Sequence, residues 1–292
     1  MSSTTATGST LGVLARQEIR NYLRHKLFWF GTALTLVVDV IILFNLDDDP
    51  GSSGSYMIAP AAMLGLLGLA VMYGLTRRSD RAAEAAGVVA VPERTRTLAL
   101  AAATVVPLSV ALGAFVVAVV GWHVHPPADY VVPPGISSGF VHAEQFGGGV
   151  VCAVGGPILG LVLARYLPRR GTAPVAAVLL IIGTILLQGG LVGGDQPYRV
   201  FWVWTYFLTQ RSVDGVWHMG TVPGNPFIWV LYLLTLCALG VVVAVRHDPE
   251  SDRVTLTRVA LGLGVLAVLL GVLTMTVGFT EAVISPGVCE FC

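Results

Sequence analysis

The sequence predicts an all-α fold: a polytopic membrane bundle of six to seven transmembrane helices led by an amphipathic helix. Three observations predict it. The 292 residues are 55% hydrophobic and only 12% charged, with a mean hydropathy of +0.78, whereas a soluble domain carries about twice that share of charge. Seven runs are apolar over the ~20 residues that a helix needs to cross a hydrocarbon core, namely 27–44, 57–75, 98–122, 147–166, 173–192, 226–245 and 259–279. Backbone polar groups find no partner in lipid, so each run is read as a helix. The third observation is charge asymmetry. Of the 17 Lys and Arg, only Arg199 and Arg211 fall in the segments on one side, which leaves fifteen on the other. The positive-inside rule then places the N-terminus in the cytoplasm and the C-terminus outside. Sixteen Arg against Lys26 alone, with abundant Ala, Val and Gly, fits a GC-rich bacterial genome, so the expected location is the bacterial plasma membrane.

Residues 1–9 read as a short disordered tail and carry no secretory signal, since no basic stretch leads directly into an apolar core. From Leu11 the periodicity is helical. Leu11, Leu14, Ala15, Ile19, Tyr22, Leu23 and Leu27 share one face, and Arg16, Gln17, Arg20, Asn21, Arg24 and His25 share the other. Such a helix, ending in Phe28-Trp29-Phe30, lies in the inner interface and then turns into the bilayer. Asp39 is the charged side chain deepest in an apolar run, which makes it a candidate functional group or a paired one. The acidic turn Asp47-Asp48-Asp49-Pro50-Gly51 reads as solvated charge.

The charged interval 76–97 lies between the second and third runs and sets Arg77, Arg78, Arg81, Arg94 and Arg96 against Asp80, Glu84 and Glu93. Its Ala-rich first half, 79–86, favours a short helix beneath the spans, stopped by Gly87 and Pro92. That helix is either a lipid anchor or a contact surface for a cytoplasmic partner. Pro107 should kink the third span. The outer segment that follows holds His123, His125, His142 and Glu144, residue types that bind zinc or copper, but no regular spacing joins them. Glycines in 147–166 permit close helix packing. The brief connection 167–172 suggests that the fourth and fifth spans pair tightly. Gln188 is a candidate interhelical hydrogen-bonder or a path-lining group. The aromatic outer segment 193–225 reads as one or two short interfacial helices. Cys152 and Cys237 look like small core residues, and Cys289 with Cys292 forms an outer CxxC.

A Walker A loop is impossible here, because Lys26 sits in His25-Lys26-Leu27. Zincin and serine-hydrolase motifs are absent as well. These features argue against a self-contained nucleotide hydrolase, and no nucleic-acid partner is expected.

The layout resembles the ABC-2 type transporter permease family. The segment ARQEIRNYLRHKLFWFG is similar to that family's elbow helix. RRSDRAAEAAGVVAVPERTRTLAL is similar to its first intracellular loop, and the short turn 165–171 and the aromatic segment before the sixth span also fit. The resemblance covers residues 10–245, the expected transmembrane domain, and leaves 246–292 as a loop, an extra helix and an outer tail. It implies an exporter permease, working as a dimer of two copies or relatives and driven by a separate P-loop ATPase that supplies the ATP and Mg chemistry. By that resemblance Arg16, Glu18, Arg20, Asp80, Arg81, Glu84 and Arg94 would face the ATPase. The first, second and fifth spans would line a path, with Thr35, Asp39, Thr184 and Gln188 as its polar groups, for a hydrophobic or amphiphilic substrate such as a drug, antibiotic, lipid or peptide. The seventh run departs from the family's six-span pattern. Two other readings stay open: a membrane-embedded metal-handling protein or enzyme built on the outer histidines, and a non-transporting anchor or sensor that recruits a cytoplasmic protein.

Overall fold

The computed structural model describes residues 3–44, 57, 59–87, 91–124, 126, 137–190, 210–213, 216–221, 224–278 and 283–284. Helices dominate. In chain order they are α1 (Ser3–Leu23), α2 (Lys26–Phe44), α3 (Leu67–Ala86), α4 (Glu93–Ala102), α5 (Val105–Val124), α6 (Ser138–Gln145), α7 (Cys152–Tyr166), α8 (Thr172–Gly190), α9 (Pro226–Arg246) and α10 (Arg253–Thr276). A small antiparallel sheet, order β1-β2-β3, joins β1 (Gln210–Val213), β2 (Val216–Thr221) and β3 (Val283–Ile284). Two π-helical stretches, Pro60–Leu66 and Phe146–Val151, run directly into α3 and α7.

Five continuous helical stretches are long and apolar enough to cross a membrane: Pro60–Ala86, Glu93–Val124, Ser138–Tyr166, Pro226–Arg246 and Arg253–Thr274. The α1–α2 pair, bent by 61°, makes a sixth if it is counted as one span. Each of the seven apolar runs coincides with a helix, the fifth with α8, whose side chains are described as far as Gly183. Helices of this length and composition are compatible with a multi-pass membrane protein.

Each bend has a local cause. Between α1 and α2 the His25 ring turns back, and its Nδ1 accepts from the Leu27 backbone N–H at 3.3 Å, taking over one of the N–H groups that the start of α2 leaves unpaired. Partial burial and the nearby Arg78 charge hold that imidazole below its ordinary pKa. Pro107 cannot donate to the carbonyl of Ala103, and the α-helical ladder is interrupted there, between α4 and α5, while Glu93–Val124 continues as one span. Gly87, at φ 58°, ends α3 in a conformation that costs glycine nothing.

The core is the contact of α3 with α7, where glycine replaces side chains. A Cβ on Gly156 would fall onto the Gly65 carbonyl oxygen, and one on Gly160 onto that of Leu69. Backbones this close gain dispersion contacts that bulkier residues would forbid. Around this seam Tyr22, Leu64, Val71, Met72, Leu100 and Leu161 form one buried cluster. Cys152, Ile158, Trp229, Leu233 and Cys237 form a second, which attaches α9 to α7. Tyr22 and Trp229 are fully buried. On α1 the expected faces hold in part: Leu11, Leu14, Ala15 and Ile19 are half-buried and Arg16, Gln17, Arg20 and Arg24 exposed, while Leu23 and Leu27 are exposed. The buried face packs on α4, so α1 rests on protein as well as on any interface.

Three expectations are corrected. Residues 79–86 are not a separate short helix beneath the spans, because α3 carries the second span through them without a break. Nothing between Leu75 and Ala86 has the φ/ψ chemistry to stop a helix before Gly87. The glycine face of α7 is taken by α3 rather than by α8, and α8 leaves Val175, Val178, Leu179, Ile181 and Ile182 exposed. The described part of the segment 193–225 is strand, not helix. In the sequence its two strands flank Asp214-Gly215, a two-residue hairpin signal of the strongest kind. The aromatic stretch before Gln210, and Cys289 and Cys292, lie outside the described residues.

Candidate functional site

The ends of α3, α7 and α9 and the start of α4 converge on one cluster of charges. Arg165 is the centre of it. On the last turn of α7, with its side chain 2% exposed, it places Nη1 2.5 Å from Asp80 Oδ1 on α3 and Nε 3.6 Å from Glu93 Oε1 at the start of α4. The first contact is a charge-assisted hydrogen bond. The second is an ion-pair contact too long to be one. Arg96 Nη1 donates to the same Asp80 oxygen at 3.1 Å and to the Ser79 carbonyl at 3.0 Å. His247, one residue past α9, puts Nδ1 2.7 Å from Glu93 Oε1. Next to it Asp248, 3% exposed, accepts from the Arg94 backbone N–H at 2.7 Å.

Helix ends explain why these residues sit here. Arg165 lies at the C-terminal end of α7 and Glu93 in the first turn of α4, where the helix dipole favours each sign. Four elements that share no local sequence are thus tied by three acids and two arginines in a part-buried setting, where such bonds are stronger than in water. Tyr73 adds a neutral tie, donating to the carbonyls of Arg169 (2.7 Å) and Leu167 (3.1 Å) in the turn that leads to α8.

The residues expected to face a partner separate into two groups. Asp80 is turned inward and committed to Arg96 and Arg165. Arg94 contributes its backbone to the junction while its side chain is exposed. Arg81 and Glu84 are exposed on the last turns of α3, beyond the junction. On α1, Arg16 and Arg20 are exposed, and Glu18 accepts from Asn21 Nδ2 at 3.0 Å. Sequence reasoning missed Arg165, Glu93, His247 and Asp248 as one constellation. The signal available was a buried-type arginine directly following an apolar glycine-rich span.

The expected path residues are not gathered in one channel. Thr35 is 1% exposed and donates to the Gly31 carbonyl at 2.9 Å, with Ala59 O at 3.5 Å, so it seals α2 against the π-helical start of the next span. Asp39 is half-buried on α2, and among the described residues its Oδ1 has no hydrogen-bond partner. The side chains of Thr184 and Gln188 lie outside the described residues.

At the opposite end His123 and His142 stack, with ring centroids 5.8 Å apart and 27° between planes, although nineteen positions separate them. Trp122 and Phe115 pack edge-on to the same His142 ring. His123 Nδ1 meets the Val119 carbonyl at 2.8 Å, and His142 Nδ1 meets Gln145 Oε1 at 3.1 Å. Glu144 is buried on α6, and His125 lies outside the described residues. Among the described residues no three His, Cys, Asp or Glu side chains come together as a metal site would require.

Fold and junction together define a class, a helical bundle with several stretches long and apolar enough to cross a membrane, tied at one end by an ion-pair cluster. Comparison with protein-family models, with curated proteins and with solved structures finds no match to this chain.

Proposed function

We propose that this chain is the transmembrane permease subunit of an ATP-driven exporter, seated in a bacterial plasma membrane with its arginine-rich end in the cytoplasm. The observation that carries the reading is the projection of α3. The second span continues past the bundle as a charged helix, with Arg81 and Glu84 exposed at its tip. Just behind that tip, Asp80 fastens the helix to α4 and α7 through Arg96 and Arg165. A push on the tip is therefore delivered to three spans at once, which is what a separate ATPase must do to rock the helices between two states. The resemblance to ABC-2 permeases supplies the partner: a P-loop ATPase that provides the ATP and Mg chemistry this chain lacks. It also supplies the second permease copy. Spans that are apolar with few polar groups suit a hydrophobic or amphiphilic cargo.

The test separates the tip from the junction. The full chain, tagged and extracted in mild detergent, should bring down a P-loop ATPase near one to one. Arg81→Glu with Glu84→Lys should abolish that association and leave the melting temperature in place, because both side chains are exposed. If no ATPase accompanies the folded protein, or if the tip reversal leaves the association intact, the reading fails.

A further inference from the structure

Beside the junction, a cleft of about 210 Å³ opens between the end of α7 and the α9–α10 turn, lined by Tyr166, Arg246, His247 and Arg253. We propose that this cleft binds a phosphate group, supplied by the headgroup of an anionic phospholipid or by phosphate in solution. The proposal uses only the helical membrane fold, not the ATPase coupling.

The wall is cationic, with Arg246 and Arg253 both exposed, and the Arg246 side chain is preorganised. Arg246 donates through Nε to Thr257 Oγ1 at 2.8 Å, and Thr257 in turn donates to the Arg253 carbonyl at 2.6 Å. This fixes the guanidinium across the turn and leaves its two terminal nitrogens as a fork, the geometry that engages two phosphate oxygens together. Among the described residues neither Arg246 nor Arg253 has a carboxylate within ion-pair distance. Tyr166 spends its hydroxyl on the Val243 carbonyl at 3.0 Å and stands edge-on to His247, so it walls the cleft rather than competing for the anion.

The acids around the cleft are mostly engaged elsewhere. Glu93 is taken by His247 and Arg165. Asp248 is taken by the backbone N–H groups of Arg94 and Glu250. Asp252 caps α10 through Val254, Thr255 and the Thr255 hydroxyl. Glu250 is the acid left facing solvent.

What lies next to the cleft favours lipid as the source. From Val254 onward α10 exposes Leu261, Val265, Val268 and Leu269, each at least 56% exposed. An acyl chain against that face would leave its headgroup at the level of Arg246 and Arg253. Basic pockets at helix ends capture anionic headgroups in this way.

The experiment uses the full chain in two arms. In nanodiscs of mixed phosphatidylglycerol and phosphatidylcholine, native mass spectrometry should show selective retention of phosphatidylglycerol. In phosphatidylcholine nanodiscs, inorganic phosphate is titrated by calorimetry. Retention or binding should fall by roughly tenfold or more in Arg246→Ala/Arg253→Ala, the loss expected for two charge-assisted contacts. It should stay unchanged in Arg169→Ala/Arg170→Ala, which removes two charges nearby but outside the cleft. Arg246→Gln/Arg253→Gln, which keeps side-chain bulk, should reproduce the loss should the alanine pair fold poorly. A signal in the lipid arm assigns the site to a headgroup, and one confined to the phosphate arm assigns it to a solution anion. Equal losses in the two alanine pairs, or no loss from the cleft pair in either arm, overturns the proposal.

Discussion

The two ends of the Asp80–Arg165 pair should cost very different amounts to remove. Arg165 is almost fully enclosed, and among the described residues Asp80 is its one contact within hydrogen-bond distance, since Glu93 stands 3.6 Å from Nε. Asp80→Ala therefore strands a buried guanidinium, a loss of about 3–5 kcal/mol. The reverse change is milder. With Arg165→Met, Asp80 keeps Arg96 at 3.1 Å and Glu93 keeps His247 at 2.7 Å, and both acids are about one-fifth exposed. The expected cost is about 1–2 kcal/mol, since partly hydrated carboxylates with a remaining partner lose little. The double variant, lacking both the stranded charge and its partner, should be more stable than Asp80→Ala alone. Reversible SDS titration of purified protein in mixed micelles, followed by tryptophan fluorescence, measures all three. If Arg165→Met costs as much as Asp80→Ala, or if the two losses simply add, Arg165 does not depend on Asp80 and the junction is misread.

Further predictions follow from the seam and the caps. Gly156→Ala and Gly160→Ala should each destabilise by about 1–3 kcal/mol or more, through overpacking against the backbone of the π-helical stretch at Gly65 and of α3 at Leu69. Gly113→Ala, where a Cβ meets nothing within 4 Å, should be neutral or stabilising by up to about 1 kcal/mol; thermal unfolding in detergent compares the three. Asn225 caps α9 by accepting from the N–H groups of Phe227 and Ile228, so Asn225→Ala should cost about 1 kcal/mol by the same assay. Asp252 has its pKa lowered, chiefly by the Thr255 hydroxyl and then by backbone N–H groups. A depressed carboxylate stabilises above its unfolded pKa and loses that contribution as pH falls through its lower folded value. Asp252→Asn should therefore flatten the acid limb of the melting-temperature profile below the ordinary carboxylate range.

The bundle was legible in the sequence because its signals are local. Apolar runs of span length, a 3.6-residue face on α1, and breaks at Gly87 and Pro107 all depend on neighbouring residues alone. The junction depends on long-range partners instead. Asp80 and Arg165 are 85 positions apart and Glu93 and His247 are 154 apart, so no spacing rule joins them. Composition marked Asp80 as an exposed charge in a charged loop, and only the placement of α7 turned it inward. The same limit explains the glycine seam. Gly156 and Gly160 announced a close approach, but the choice of α3 over the adjacent α8 is made by matching Gly65 and Gly68. The hairpin is different, since Asp214-Gly215 was readable and was outweighed by the aromatic composition around it.

The last helix is an addition to the bundle rather than a part of its seam. Helix α10 rests on α9, buries Ala267, Gly271 and Thr274 there, and leaves most of its surface to the surroundings. Every residue of the central seam and of the ion-pair junction precedes α10 in the chain, and none of those contacts uses an α10 side chain. A substitution on its outward side should therefore leave the seam and the junction as they are.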